Sequence, residues 1–270
     1  MGTDRDAVGT DRDAGGTDRD AVGTDRDAVS PVEPYASLRW PSEITESGAK
    51  QSLAAVTAGR VRTVLADVAT DAPRVGLGSG STSFLTLLAL AAARDELPSG
   101  LAIVATSYEM EWYASAAGFA VVRLDGRGVD VAFDGADQVD PDGALVKGRG
   151  GAMHRERAVL DAARHELIVA DATKRVPALG GCPLPLDLRP DGIVEAVAAV
   201  EAAVDAPVRL RTGTGKDGPV LSESGGVLAD LVLPEGRMFT ADLASRLTAV
   251  PGVVDCGYFA PSAKREVISG

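Results

Sequence analysis

The stretch Arg74-Val75-Gly76-Leu77-Gly78-Ser79-Gly80-Ser81-Thr82-Ser83-Phe84-Leu85-Thr86-Leu87-Leu88 decides the fold. A short apolar run meets a Gly/Ser turn and then continues as an apolar segment, which reads as strand, turn and helix. The rhythm recurs downstream, with strands expected at 101–105, 119–124, 129–133 and 166–170 and helices over 107–117 and 152–164. Upstream, Leu53, Val56, Val61, Val64, Leu65 and Val68 mark one stripe of a first helix. Apolar strands alternating with helices predict an α/β chain whose mostly parallel sheet is covered on both faces. Ligands of such sheets bind beyond the C-terminal ends of the strands.

After Gly180-Gly181 the pattern changes. A strand at 184–188, a helix at 192–204, a strand at 207–212, two strands within 219–233, a helix at 240–249 and a strand at 252–256 approximate a βαββαβ unit. Val267-Ile268 reads as a strand returning to the large sheet. The expected organisation is therefore a Rossmann-like domain from 31–183 and 257–270, with a small ferredoxin-like α+β domain at 184–256. Residues 1–30 form a low-complexity tail, GTDRDAV at 2–8, 16–22 and 23–29 with GTDRDAG at 9–15. Its period of seven is not a coiled coil, because each unit offers one Ala-Val or Ala-Gly pair and a helix-weakening Gly, so disorder is expected there.

With 27 basic and 39 acidic side chains the formal charge is −12, which argues against a nucleic-acid partner. No apolar run approaches the ~18 residues of a membrane span, and the acidic start does not resemble a signal peptide, so the plain reading is a cytoplasmic protein without a membrane partner. Cys182 and Cys256 form no CxxC and read as small side chains in a reducing compartment.

Four segments carry chemistry. Gly76-Leu77-Gly78-Ser79-Gly80-Ser81-Thr82-Ser83 opens a helix, where glycines, free N–H groups and hydroxyls can receive phosphate oxygens. It is neither a Walker A loop nor a full GxGxxG, and alone it is suggestive only, a plain Gly-rich strand–helix turn being the alternative. Asp134-Gly135-Ala136-Asp137-Gln138-Val139-Asp140 follows a strand, so two carboxylates three apart can face one pocket; an Asp-rich surface turn is the alternative. Lys147-Gly148-Arg149-Gly150-Gly151-Ala152-Met153-His154-Arg155-Glu156-Arg157 pairs a cation for an oxyanion with a carboxylate base, or is merely a charged helix face. Arg155 and Arg157 flank Glu156 and would favour its ionised form. His154 reads as a bystander, since no second residue forms an arrangement with it. The fourth, Ile168-Val169-Ala170-Asp171-Ala172-Thr173-Lys174, ends another strand in polar groups.

In that order and at those separations, GLGSGSTS, FDGADQVD, KGRGGAMHRER and IVADATK resemble the motif set of the type A ribose-5-phosphate isomerases. Thr106-Ser107, Pro183-Leu184-Pro185-Leu186 and Val250-Pro251-Gly252-Val253-Val254 extend the match, which covers roughly residues 45–270. The resemblance implies an aldose–ketose isomerase interconverting ribose 5-phosphate and ribulose 5-phosphate through an enediolate, in the non-oxidative pentose phosphate pathway. Ser79, Gly80, Ser81 and Thr82, with Lys50 on the first helix, would bind the phosphate. Asp134 and Asp137 would hold sugar hydroxyls and move protons, with Gly135 and Ala136 between them against the substrate. Lys147 would stabilise the enediolate, Gly148, Arg149 and Gly150 would line the pocket, Glu156 would be the base and Lys174 would contact substrate. The partner implied is a small-molecule sugar phosphate, with no cofactor, no metal, and a homodimer or homotetramer as the assembly. Three positions depart from the usual pattern: Arg149 stands for Gly, His154 for Thr, and Glu223-Ser224-Gly225 for Asp-Asn-Gly. A sugar-phosphate sensor would keep the Gly/Ser loop without needing Lys147 and Glu156. The Asp134/Asp137 pair and the Lys-to-Glu spacing also favour the isomerase over a deaminase or an acyl-CoA transferase of similar fold.

Overall fold

The computed structural model describes Trp40, residues 47–215 and residues 217–269. The repeat tail expected at 1–30 lies outside the described residues.

Six strands form the main sheet: β1 (Arg74–Leu77), β2 (Ala102–Ala105), β3 (Ala120–Val121), β4 (Val129–Gly135), β7 (Ala163–Val169) and β13 (Arg265–Ile268). Their order is β13-β7-β4-β1-β2-β3 and every pairing is parallel. β1 is buried along its whole length, as a strand covered on both faces must be, which is why it reads as an apolar run without alternation. The chain moves from β1 outward through β2 to β3, then returns to the other side of β1 at β4 and continues through β7 to β13. That reversal creates a crevice at the C-terminal ends of β1 and β4.

The pleat sends alternate residues to opposite layers. Val131, Phe133, Leu167 and Val169 join the core beneath α1 (Ser47–Ala66), α2 (Ser81–Ala92) and α3 (Tyr108–Ala116). Ala132 and Ile168 join the opposite core, with Met153, Val159 and Leu160 of α4 (Met153–Asp161). On α1 the buried row runs through Leu53, Thr57, Val61, Val64 and Leu65, whereas Val56 is 59% exposed. The stripe expected from apolar residues alone was therefore one residue off at that turn. Thr57 occupies the i+4 position of the row and donates its hydroxyl to the Leu53 carbonyl, which satisfies a buried polar group.

The second layer is a four-stranded antiparallel sheet of β8 (Leu184–Leu188), β9 (Val208–Leu210), β10 (Val227–Leu231) and β11 (Val253–Cys256), ordered β11-β8-β10-β9. With α5 (Ile193–Val204) and α6 (Ala241–Thr248) it follows the βαββαβ, ferredoxin-like connection. Leu184, Leu186, Leu188, Val200, Val204, Leu243 and Leu247 form its core.

Three expectations need correction. The helix expected over 152–164 ends at Asp161, because Ala163 is already paired with Val129 and the chain must be extended by then. Only one of the two strands expected within 219–233 forms. Pro219 and Leu221 make isolated bridges only, because β10 is already paired along both edges, by β8 on one side and β9 on the other, and leaves no edge for a further strand. A small sheet of β5 (Gln138–Val139), β6 (Leu145–Val146) and β12 (Tyr258–Phe259) was not expected at all, since two-residue strands carry no periodicity. It fixes the approach to Lys147, whose N–H donates to the Gly257 carbonyl at 2.9 Å.

Candidate active site

The C-terminal ends of β1, β2, β4 and β7 open on one cavity of about 590 Å³. All the site residues named from the sequence line it: Lys50 from α1; Ser79, Gly80, Ser81 and Thr82 from the turn into α2; Asp134, Gly135, Ala136 and Asp137 from the end of β4; Lys147, Gly148, Arg149 and Gly150 from the loop after β6; Glu156 from α4; and Lys174 after β7.

The helix α2 is preceded by Gly80 with φ +97°, a conformation only glycine takes without strain, and no side chain caps the helix. The first N–H groups of the twelve-residue helix are thus left for an anion, with the Ser81 and Thr82 side chains beside them and Lys50 and Lys174 on the same cavity wall. Ser79 shares a 2.8 Å hydroxyl–hydroxyl hydrogen bond with the buried Thr106, which ties the turn to the end of β2.

In the same cavity Lys147 stands between two carboxylates. Its Nζ lies 2.9 Å from Asp134 Oδ2 and 3.2 Å from Glu156 Oε2, and all three side chains are almost completely buried. The ammonium also donates to the Gly135 carbonyl. Both carboxylate oxygens face the ammonium directly. Burial, then the charge of Asp134, push Glu156 up to about 8, against the opposing pull of Lys147. Burial also raises Asp134, although Lys147 and the N–H groups of Gly135 and Ser79 favour its charge. For Lys147, burial works against the charge, but Asp134 and Glu156 prevail and hold it above the usual lysine range. Two buried carboxyls beside a single ammonium thus favour a proton on Glu156 at neutral pH.

The flanking arginines do not act as expected. Arg155 binds Glu111 and lies 3.6 Å from Glu223, while Arg157 grips Asp255 through Nε at 3.0 Å and donates to the carbonyls of Cys256 and Tyr258. Both are turned to other elements, so neither favours ionisation of Glu156. His154 is half exposed, 3.4 Å from Asp255, and does not line the cavity. Asp140 accepts N–H groups of Asp142 and Ala144 and closes a turn. Among the described residues no cluster of three His, Cys, Asp or Glu could hold a metal ion.

Several lining residues were not assigned to the site from the sequence: Trp40, Ser107, Glu109, Asp171, Thr173 and Glu223. Asp171 and Thr173 sat within a quoted motif at a strand end, the signal that could have found them. Glu223 comes from the turn before β10 and receives the Tyr108 N–H at the start of α3, a contact between positions 115 residues apart that no local pattern announces.

A family model described as ribose 5-phosphate isomerase A (phosphoriboisomerase A) matches residues 102–270. The chain belongs to this family. The ribose-5-phosphate isomerase A of Halobacterium salinarum is 40% identical over 196 residues, covering 72% of this chain and 83% of that protein. The one from Methanothermobacter thermautotrophicus is 37% identical, covering 70% and 83%. Among solved structures, ribose 5-phosphate isomerase A of Methanocaldococcus jannaschii superposes with a TM-score of 0.71 at 27% identity, over 82% of this chain and 95% of that one. A D-ribose-5-phosphate isomerase in complex with phospho-erythronic acid does so with 0.70 at 31% identity, over 82% and 94%.

In this member of the isomerase family, Gly78 decides where Asp134 sits. The Gly78 N–H donates to Phe133 O at 2.8 Å, and a Cβ on Gly78 would lie 2.1 Å from Asp134 Cγ. Gly78→Ala is expected to push Asp134 off Lys147 and lower kcat/KM by about 10- to 100-fold in a folded protein. Steady-state kinetics beside a thermal melt check this; unchanged kinetics would show that the placement of Asp134 does not matter.

Proposed function

We propose that this chain interconverts ribose 5-phosphate and ribulose 5-phosphate by moving one proton between C2 and C1. The observation that carries the reading is the Glu156–Lys147–Asp134 arrangement, buried in a cavity that an uncapped helix N-terminus and two lysines also line. The phosphate sits on Ser79–Thr82 with Lys50 and Lys174, and its binding energy holds the open-chain sugar against the carboxylates. Ionised Glu156 takes the proton from C2; the C–H electron pair enters the C1–C2 bond and the carbonyl pair moves onto O1. Lys147, charged throughout, stabilises the enediolate. Asp134 carries the proton from O2 to O1, and Glu156 returns its proton to C1. Asp137 holds sugar hydroxyls and assists ring opening. The oxyanion charge is met by an ammonium, so the reaction uses neither metal nor cofactor.

The same reading carries a cytoplasmic homodimer or homotetramer with it. Among the described residues no helix is long and apolar enough to cross a membrane.

The direct test is purified protein with ribose 5-phosphate, following ribulose 5-phosphate; no conversion would overturn the reading. A pH profile tests the base. The active form of Glu156 is ionised, and the free chain holds the proton up to about 8. Hence kcat/KM is expected to rise about tenfold per pH unit between roughly 6.5 and 7.5 and to level above about 8. An acid limb breaking at the ordinary carboxylate range near 4 to 5 would contradict this assignment.

A further inference from the structure

The loop from Gly148 to Gly151 joins Lys147 to the helix of Glu156, and its conformation is set from outside the parallel sheet. Arg211, directly after β9, reaches it from the four-stranded layer. Asp230 on β10 holds the guanidinium by two bonds, Nε to Oδ2 at 2.8 Å and Nη2 to Oδ1 at 2.6 Å. The remaining nitrogen, Nη1, donates to the carbonyls of Gly148 at 3.2 Å and Arg149 at 2.8 Å. The two side chains are only 17% and 24% exposed, and neither lines the cavity.

A trans peptide points its C=O and the following N–H in opposite directions. The first gripped peptide obeys this visibly: the Gly148 carbonyl faces Arg211, and the Arg149 N–H donates to Asp137 Oδ2 at 3.2 Å on the cavity side. In the next peptide the Arg149 carbonyl faces Arg211, so the Gly150 N–H is turned away from it, where Gly150 lines the cavity. Gly148 has φ +102° and its carbonyl also accepts the Gly151 N–H at 3.0 Å, so the turn is tight, but glycines leave it free to rotate its peptides. Arg211 grips both carbonyls from outside the turn and so sets which way the two peptides face together.

We propose that Arg211, fixed by Asp230, is a positioning residue of the isomerisation. It turns the two peptides so that one N–H holds Asp137 and the next meets the oxygens on which charge develops. The inference rests on the function proposed above. Lost preorganisation of a donor weakens transition-state binding more than substrate binding. Arg211→Met is therefore expected to lower kcat by about 30- to 100-fold while KM and inhibition by inorganic phosphate stay within about threefold. Phospho-erythronic acid, with a planar carboxylate where the enediolate forms and a phosphate at the other end, should lose affinity by about the same factor as kcat. Arg211→Lys, which can reach one carbonyl but not fork across both, should recover part of the rate. Should Arg211→Met not fold, Asp230→Asn, which loosens the grip without removing the arginine, is expected to show the same kcat-selective loss at about 3- to 10-fold. Unchanged kcat in the folded variants would overturn the proposal. So would equal loss of inorganic phosphate and phospho-erythronic acid binding, which would mark a general collapse of the cavity. Wild-type protein inactive on ribose 5-phosphate would sink the functional reading instead, and that assay comes first.

Discussion

Glu156→Gln is expected to lower kcat at least about 100-fold with KM little changed, because the amide keeps the shape and hydrogen bonding of the side chain but cannot accept the C2 proton. Exchange of the substrate C2 hydrogen with deuterated water should stop along with turnover. His154→Thr, by contrast, should retain most activity, since His154 is half exposed and faces Asp255 outside the cavity. The same Glu156→Gln variant should be more stable than the wild type in alkaline buffer. Glu156 is raised from an ordinary value of 4.5 to about 8 in the folded chain. A carboxyl raised on folding contributes stability that is fully present below its unfolded pKa and is lost as pH rises to the folded one. At pH 9 the wild type must therefore carry a buried carboxylate that the glutamine does not, a difference on the order of a few kcal/mol. Denaturant melts at pH 5 and pH 9 read it. A variant that keeps its turnover and exchange, or gains no stability at pH 9, would show that Glu156 is not the raised base.

Much of this arrangement was legible before any coordinates. The parallel sheet announced itself through its central strands, because strands buried on both faces, as β1 and β4 are, read as nearly continuous apolar runs, and the residues after such strands meet at one edge. Asp134, Asp137, Ser79 to Thr82 and Lys174 are brought to one cavity by that rule alone. The sequence pattern failed where partners are chosen by tertiary contact. Arg155 and Arg157 adjoin Glu156 in the chain, yet their side chains reach Glu111 and Asp255, on α3 and β11. Adjacency in a helix points successive side chains about a hundred degrees apart, so neighbours in sequence need not share a face. The pairing of Arg211 with the Gly148 and Arg149 carbonyls was equally invisible, since it joins two layers across more than sixty positions of chain.

Lys147→Met should be the most damaging single change at the site, with kcat lowered about 10³-fold or more. Methionine fills comparable volume, so packing is nearly kept while the charge is removed. Two consequences follow from the distances of 2.9 and 3.2 Å to Asp134 and Glu156. The enediolate loses its counter-charge, and both carboxyls lose the group that favours their ionised form. Each is already raised by burial, and without the ammonium each is raised further. The acid limb of any residual kcat/KM should accordingly move to higher pH than in the wild type. The stability of the variant should be nearest the wild type at about pH 5, where neutral carboxyls suit a buried site, and should fall more steeply as pH rises through 9. That sign follows because groups with raised folded pKa values lose their contribution on deprotonation. Kinetics and thermal melts at several pH values decide the matter. If Lys147→Met left kcat within tenfold of the wild type, or if its stability rose with pH relative to the wild type, the ammonium would be neither the enediolate's partner nor the balance for the two buried carboxyls.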